Sequence, residues 1–461
     1  MPYESESGDM LMALTGESLI TRGLSKFREE RFLKIAQMLR DADVAFTNAE
    51  CLFQNYEDYP NTLAGGGSRG GTYMASHPRN IKELQWLGID VVACANNHGS
   101  DYGEGGVLTN IKYLDEAGMP HAGSGRNMTE ARAPVYLDTP KGRVALIAAA
   151  DWGPRGLGGL PWPFPMGVMA GEQSPYSKGR PGYNLIRHRV VLTVDRTAFD
   201  ALRRISKELK FEVEKARVPT ERSKAEQGDV DTDTTFYFMG NKFVLGDKFS
   251  MMTVAERDDI EANLKWVRDA RRMADWVLVS FHNHGASPSP DEPSEHAKLF
   301  ARGCIDAGAD VFIGHGPHRD RGIEIYQGKP IFYSLGDFIL QNETVQWAPY
   351  DHMARYGLGH DNTPADLYDA RSGNGTRGQS INPRNWESAI AMLSYKGKTL
   401  QEIRLHPVDL RIGAPRGQQG RPLLAEPGGE VSNQVLKKYR EMSEPFGTKL
   451  AIEDGIGVIR P

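Results

Sequence analysis

The chain has 461 residues, 39% hydrophobic and 25% charged, which is long enough for one large core or two domains and excludes a disordered polymer. A formal charge of −5 with a pI near 6.2, and no Lys/Arg block beyond a solvated helix face, exclude general attraction to nucleic acid or anionic membrane. The start, MPYESESGDM, is acidic and polar, and no later segment approaches ~18 uninterrupted apolar residues, so a cytoplasmic, soluble protein is expected.

The first apolar run, residues 10–14, leads to Glu17. Phe32, Ile35, Ala36, Leu39 and Ala42 then repeat at helical spacing, and a second run, 44–46, leads to Asn48 and Glu50. The patch GGGSRGG at 65–71 lacks the Lys-Ser/Thr of a phosphate loop and follows no strand; it reads as a flexible loop. A third run, 91–95, precedes Asn97 and His98, and a helix around 106–117 ends at Gly118, a left-handed cap. Residues 153–182 are crowded with Gly and Pro, which predicts a long loop with Trp152, Trp162 and Phe164 packed into it. Residues 196–216 read as a long exposed helix and 234–249 as a peripheral hairpin. The fourth run, 276–281, leads to His282 and His284. A helix over 294–307 ends at Gly308. The fifth run, 311–313, leads to His315 and His318, and the sixth, 331–335, to Asp337. The polar stretch 341–385 follows directly; it and 153–182 are candidate lids. Segments 388–395 and 400–410 flank Lys396-Gly397-Lys398 as a second hairpin. Cys51, Cys94 and Cys304 have no metal or redox spacing and read as buried reduced thiols.

Alternating strand and helix argue for a layered α/β fold. If the six runs are buried strands of one sheet, their ends converge at its carboxyl edge, where open α/β sheets place ligands. Carboxylates, an amide oxygen and imidazoles then form a divalent-metal site of mixed N and O donors. Glu50 can bridge two ions, and Asn97 offers an amide oxygen. His98 beside it suits proton transfer or charge stabilisation, with Asp101 close enough to orient it. His282, His315 and His318 supply imidazoles. Glu17 and Asp337 are further carboxylates, although a carboxylate at a strand end also caps helices. His284, His77 and His121 read equally well as structural. One or two ions are expected, of Mn, Zn, Fe or Co, with Ca left open by the carboxylates.

The strings GESLITRG, NAE, ANNHGSDYGEGG, VSFHNHG, GADVFIGHGPHRDRGIEIYQGKPIFYSLGDF and HPVDL resemble the CapA family, named for capsular poly-γ-glutamate synthesis and related to the calcineurin-like metallophosphoesterases. The resemblance spans 8–456 as a single domain. It implies an α/β fold, a four-layer α/β/β/α metallophosphoesterase-like sandwich, with metal ligands at the sheet edge and 153–182 and 341–385 as loop insertions. By position it gives Glu17 the place of the family's first Asp and Glu50 that of the bridging carboxylate. Asn97 becomes a ligand with His98 as the catalytic imidazole, and His282, His315 and His318 become ligands. Arg22 matches a recurrent arginine suited to gripping an anionic group. The chain departs from the pattern at Glu17, one methylene longer than Asp. It departs again at Gly316, inside a cluster often written His-His-Pro-His, and at Asp337, where the family usually has Asn. These departures leave one-ion use open.

The expected activity is metal-dependent hydrolysis of a phosphoester or an amide/peptide. The alternatives are a metal-assisted epimerase acting at a Cα of a ribosomal peptide, and a non-catalytic accessory of capsule polymer synthesis. A small-molecule or peptide substrate is expected, with Arg180, Tyr350, His352 and Arg355 as contacts; the sequence gives no oligomeric state.

Overall fold

The structure, a computed structural model, describes residues 8–61, 71–152, 169–211, 231–238, 241–285, 287 and 289–461. Among them, two ten-stranded sheets carry the architecture. At the heart of the first lie the parallel strands β1 (Met10–Leu19), β2 (Val44–Ala49) and β3 (Val91–Ala93). The second is built on β4 (Gly142–Trp152), β5 (Leu185–Val194), β6 (Trp276–His282), β7 (Val311–His315) and β8 (Lys329–Phe332), again parallel. Strand β9 (Asp337–Leu340) returns to the first sheet and runs parallel to the end of β1. The hairpin of β10 (Glu387–Lys396) and β11 (Thr399–Asp409) extends that sheet antiparallel to β1, as the sequence predicts.

Along regular stretches of strand, side chains alternate between two cores, the period-two consequence of a pleated strand. Met12 and Leu14 of β1, with Leu146 and Ala148 of β4 and Leu278 of β6, fill the space between the sheets. The intervening Ala13, with Phe32, Ile35 and Leu39 of helix α1 (Glu30–Asp41) and Leu84 of α2 (Arg79–Leu87), fills the outer face of the first sheet. Ile147, Val277, Val279 and Phe281 face α4 (Arg257–Met273) and α5 (Glu295–Asp306) outside the second. Four layers follow, α/β/β/α. Both faces of each central strand are buried, which is why these strands read as continuous apolar runs.

That same property corrects one expectation. The six runs do not lie in one sheet: those ending at Glu17, Glu50 and His98 belong to the first, and those from residues 276, 311 and 331 to the second. A strand buried on both faces looks alike in either sheet, so the runs cannot announce their partners. Their ends still meet, because the sheets stack face to face.

Helix α3 (Gly103–Glu116) is followed by Gly118 at φ 62°, and α5 by Gly308 at φ 114°, both left-handed as predicted. The helix expected over 196–216 runs from Arg196 to Glu208, with 212–216 outside the described residues. The peripheral hairpin consists of Thr235–Phe238 and Asn241–Leu245. Residues 341–385, expected as a loop, contain helices at Tyr350–Arg355 and Pro364–Ser372, the second opened by a Thr363/Asp366 capping box. Of 153–182, residues 153–168 lie outside the described residues, Trp162 and Phe164 among them, as do 65–70 of the glycine-rich patch. The three cysteines are buried thiols without disulfides, and burial pushes Cys94 up to about 12. Among the described residues no helix is long and apolar enough to cross a membrane.

Candidate metal centre

A register shift in β1 between Leu14 and Glu17 builds the site. Without it, the alternation that points Met12 and Leu14 between the sheets would turn Glu17 outward; one irregularity reverses the parity. Glu17 thereby reaches across to the second sheet, its Oε2 2.7 Å from His318 Nδ1 and its Oε1 3.7 Å from His282 Nδ1. The backbone N–H of Gly316 also donates to Glu17 Oε1. Gly316 has φ 121°, and a Cβ there would press on the Asn283 backbone, so the longer Glu17 and the glycine in the histidine cluster are complementary departures.

Glu50, one residue past β2, occupies the middle. Its Oε1 lies 3.8 Å from the Nε2 atoms of His98, His282 and His318. Neither carboxylate oxygen has a hydrogen-bond donor, although the side chain is fully buried. A buried carboxylate without a donor costs several kcal/mol, and a cation is the partner this geometry accepts. His282 and His315 end β6 and β7. Their Nδ1 atoms face each other at 2.9 Å, while His315 Nε2 meets Ser280 Oγ at 2.6 Å and His282 Nε2 meets Asn97 Oδ1 at 2.7 Å. Asn48 Nδ2 lies 3.4 Å from His282 Nδ1. His318 sits at φ 53°, an uncommon conformation for a non-glycine residue, with Nδ1 2.9 Å from Asp337 Oδ1.

The donors fall into adjoining sets: Glu17, His282 and His315; Glu50, His284 and His318; and Glu17, Glu50, His318 and Asp337, each within 4.8 Å. Mixed N/O sets that share carboxylates fit one divalent ion or a bridged pair. The electrostatics agree. Burial and the Glu17 charge push Glu50 well above the ordinary carboxylate range, and burial lifts Asp337 to about 7 against the pull of His318. Burial also acts on Glu17, but His318 and His282 outweigh it and hold Glu17 well below its usual value. His318, opposed by burial, is raised by Glu17, Asp337 and Glu50; burial holds His315 down at about 4.

His98 stands apart from ligation. Its Nδ1 lies 2.7 Å from Asp101 Oδ2, which also accepts from the Met74 N–H. The free edge of the ring, Nε2, therefore faces Glu50. A carboxylate on Nδ1 fixes the imidazole's orientation and tautomer.

Of the other expected site residues, Arg22 is held by the protein itself. Its guanidinium donates to Thr344 Oγ1 at 3.1 Å and to the carbonyls of Gly417 and Gln419, tying the end of β1 to the chain after β11. Arg180 donates to Met169 O at 3.0 Å, within a segment joined to the His98 loop by Tyr183 Oη donating to Gly99 O. Tyr350 is 47% exposed and stacks on His360 at 4.1 Å. His352 is buried against Tyr73 at 5.6 Å, and burial, with Arg371 and Arg355, brings it down to about 4. None of these residues belongs to the donor sets. His284 is inside them, whereas His77 accepts from the Arg79 N–H and His121 meets Asp115. Sequence reasoning passed over Ser280; its signal was a lone hydroxyl inside the apolar string WVLVSFH.

The profile of the family described as bacterial capsule synthesis protein PGA_cap matches residues 7–161 and 170–342. The chain belongs to this family. All the donors, together with His98 and Asp101, fall within the matched residues. The uncharacterised protein y4uA of Sinorhizobium fredii is 30% identical over 455 residues, covering 97% of this chain and 92% of its own. Capsule biosynthesis protein CapA of Bacillus anthracis is 21% identical over 334 residues, covering 72% of this chain and 58% of its own. The PGA biosynthesis protein CapA of Bacillus subtilis is 33% identical over 121 residues, 24% of this chain and 30% of its own.

Proposed function

We propose that the protein is a metal-dependent hydrolase of amide or phosphoester bonds. The supporting observation is the placement of His98: anchored by Asp101 on Nδ1, it presents Nε2 3.8 Å from the Glu50 oxygen around which the donor sets gather. A divalent ion held by Glu17, Glu50 and the histidines would polarise the scissile group and lower the pKa of an attacking water toward ~7. His98, oriented by Asp101 on Nδ1, would take the attacking water's proton on Nε2 and pass that proton to the leaving atom, so the imidazole ends as it began. Glu50, Glu17 and Asp337 are buried, which keeps bulk water away from the carboxylates. The names of relatives, capsule and PGA biosynthesis, favour an amide-linked glutamate polymer or peptide over a phosphoester. The test is turnover of γ-glutamyl peptides and p-nitrophenyl phosphates after chelation and addition of Mn²⁺, Co²⁺ or Zn²⁺. Metal-dependent activity lost in His98→Ala is expected; silence on every substrate with every metal overturns the proposal.

One observation favours a second reading, epimerisation at a peptide Cα. His98 from the first sheet and His282 from the second lie at the same 3.8 Å from Glu50 Oε1; in this reading His282 would leave ligation to the other donors and exchange the proton with His98. Incubation of candidate peptides in D₂O separates the two readings: deuterium at a Cα without cleavage selects epimerisation, cleavage without deuterium selects hydrolysis.

A further inference from the structure

A second group of donors lies on the helix-covered side of the second sheet. Asp151 stands near the end of β4, His188 lies within β5 opposite Ala255, and His296 is in the first turn of α5. Asp151 Oδ2 is 3.9 Å from His188 Nδ1 and 3.8 Å from His296 Nε2, and the three donor atoms fall within 4.8 Å of one another. That carboxylate oxygen is buried and accepts no hydrogen bond; the Asp151 side chain is 6% exposed. Its other oxygen accepts from the His284 N–H at 3.0 Å. His296 is anchored on its far side, Nδ1 lying 2.8 Å from Thr253 Oγ1. The backbone closes the group at Gly285, where a Cβ would overlap the His296 ring and come within 2.9 Å of Asp151 Oδ2.

We propose that Asp151, His188 and His296 bind one divalent transition-metal ion of the zinc or iron class, at a site separate from the centre around Glu50. Two imidazoles and one carboxylate are a recurrent donor set for such ions, whereas Ca²⁺ and Mg²⁺ prefer oxygen alone. A buried carboxylate oxygen facing two imidazole nitrogens, with no donor of its own, is stabilised by a cation between them. Anchored far sides, on Asp151 and on His296, are the outer support that metal ligands usually have. Burial, with His188 and Arg321, keeps His296 well below its ordinary value and so a neutral imidazole; its Nε2 has only the long contact of Asn283 Nδ2 at 3.4 Å for an ion to displace. The Arg321 guanidinium, whose charge also reaches Asp151, donates to Pro290 O at 3.2 Å.

Donors about 2.1 Å from a tetrahedral ion lie about 3.4 Å apart, so loading shortens the 3.9 and 3.8 Å separations of Asp151 Oδ2 from His188 and His296 by a few tenths of an ångström. The rings of His188 and His296 are stacked, 4.2 Å between centroids and 14° between planes; each must roll toward the ion, and that stack opens on binding. The ion then ties β4, β5 and α5 together and fixes Asp151, which holds the backbone of His284 beside the main centre. This inference does not rest on the hydrolase reading.

The test is anomalous diffraction from crystals of the full chain dialysed against excess zinc, recorded on both sides of the zinc absorption edge. A peak among Asp151 Oδ2, His188 Nδ1 and His296 Nε2 at about 2.0–2.2 Å is expected, with the two rings no longer parallel. No peak there overturns the proposal, whatever the main centre holds. In solution, Asp151→Asn is expected to bind one equivalent of zinc fewer than wild type while His98→Ala binds the full complement; an unchanged zinc content in folded Asp151→Asn also overturns it.

Discussion

The two sheets bring different chemistry to the same rim. The first supplies oxygen: Glu17, Asn48, Glu50, Asn97 and, through β9, Asp337. The second supplies nitrogen: His282, His284, His315 and His318. His98, the imidazole on the first sheet's side, is held on Nδ1 by Asp101, a carboxylate outside the donor sets. At this rim neither sheet alone offers a mixed donor set, so an ion held here would clasp the two layers together.

If that division is right, removing the central donor of either sheet should cost the same function. Glu50→Ala and His282→Ala are each expected to lower metal-dependent activity by about 1,000-fold, the several kcal/mol a Lewis acid supplies, measured as kcat/KM. A large loss in only one of them breaks the comparison. Chelation should loosen the layers together. An ion present at about 1,000 times its Kd adds about 4 kcal/mol, and for a chain of this length, with an unfolding entropy near 1 kcal/mol/K, its removal lowers Tm by about 4 °C in calorimetry.

The division was only partly legible in the sequence. The strands announced themselves because apolar runs ended on donors, and the helix ends at Gly118 and Gly308 because a left-handed residue is needed there. Sheet membership was hidden, since doubly buried strands carry the same pattern on either side of the sandwich. Glu17 was read as a strand-end carboxylate, but its direction depends on a register shift that no local pattern reveals. Arg22 looked like an anion grip by position; its carbonyl partners at Gly417 and Gln419 lie almost 400 residues away in the chain. His284 could not be told from His77 by type, because only the meeting of β4, β6 and β7 decides which of them faces the donors. Asp151, His188 and His296 were invisible as a group, since His188 lies mid-strand and His296 in a helix, where no run ends.

Smaller effects sharpen the contrast between ligands and the proton-transfer pair. Asp101→Asn should lower kcat by about 100-fold, within the range of general acid–base catalysis, while metal content stays at the wild-type level; a parallel loss of metal would make Asp101 part of the ligand support. Asp337 must lose its proton to ligate, and its pKa is lifted to about 7. Glu50 and His318, both raised above their ordinary values, must also be deprotonated to ligate, so metal affinity is weak in acid and rises with pH, by about tenfold per pH unit for each proton released. Titration calorimetry across pH 5–8 should show that slope reduced by about one proton in Asp337→Asn. The smallest expected effect is at Arg22: Arg22→Ala should leave kcat/KM within about twofold and cost about 1–2 kcal/mol of stability in urea, from the hydrogen bonds lost.

The most direct measurement is the metal content of purified, zinc- or manganese-loaded protein by plasma mass spectrometry, compared with Glu50→Ala and His282→Ala after identical dialysis. The account predicts that each variant loses the same one or two equivalents, although the two residues belong to different sheets. Variants that fold and retain the full wild-type metal content would contradict it.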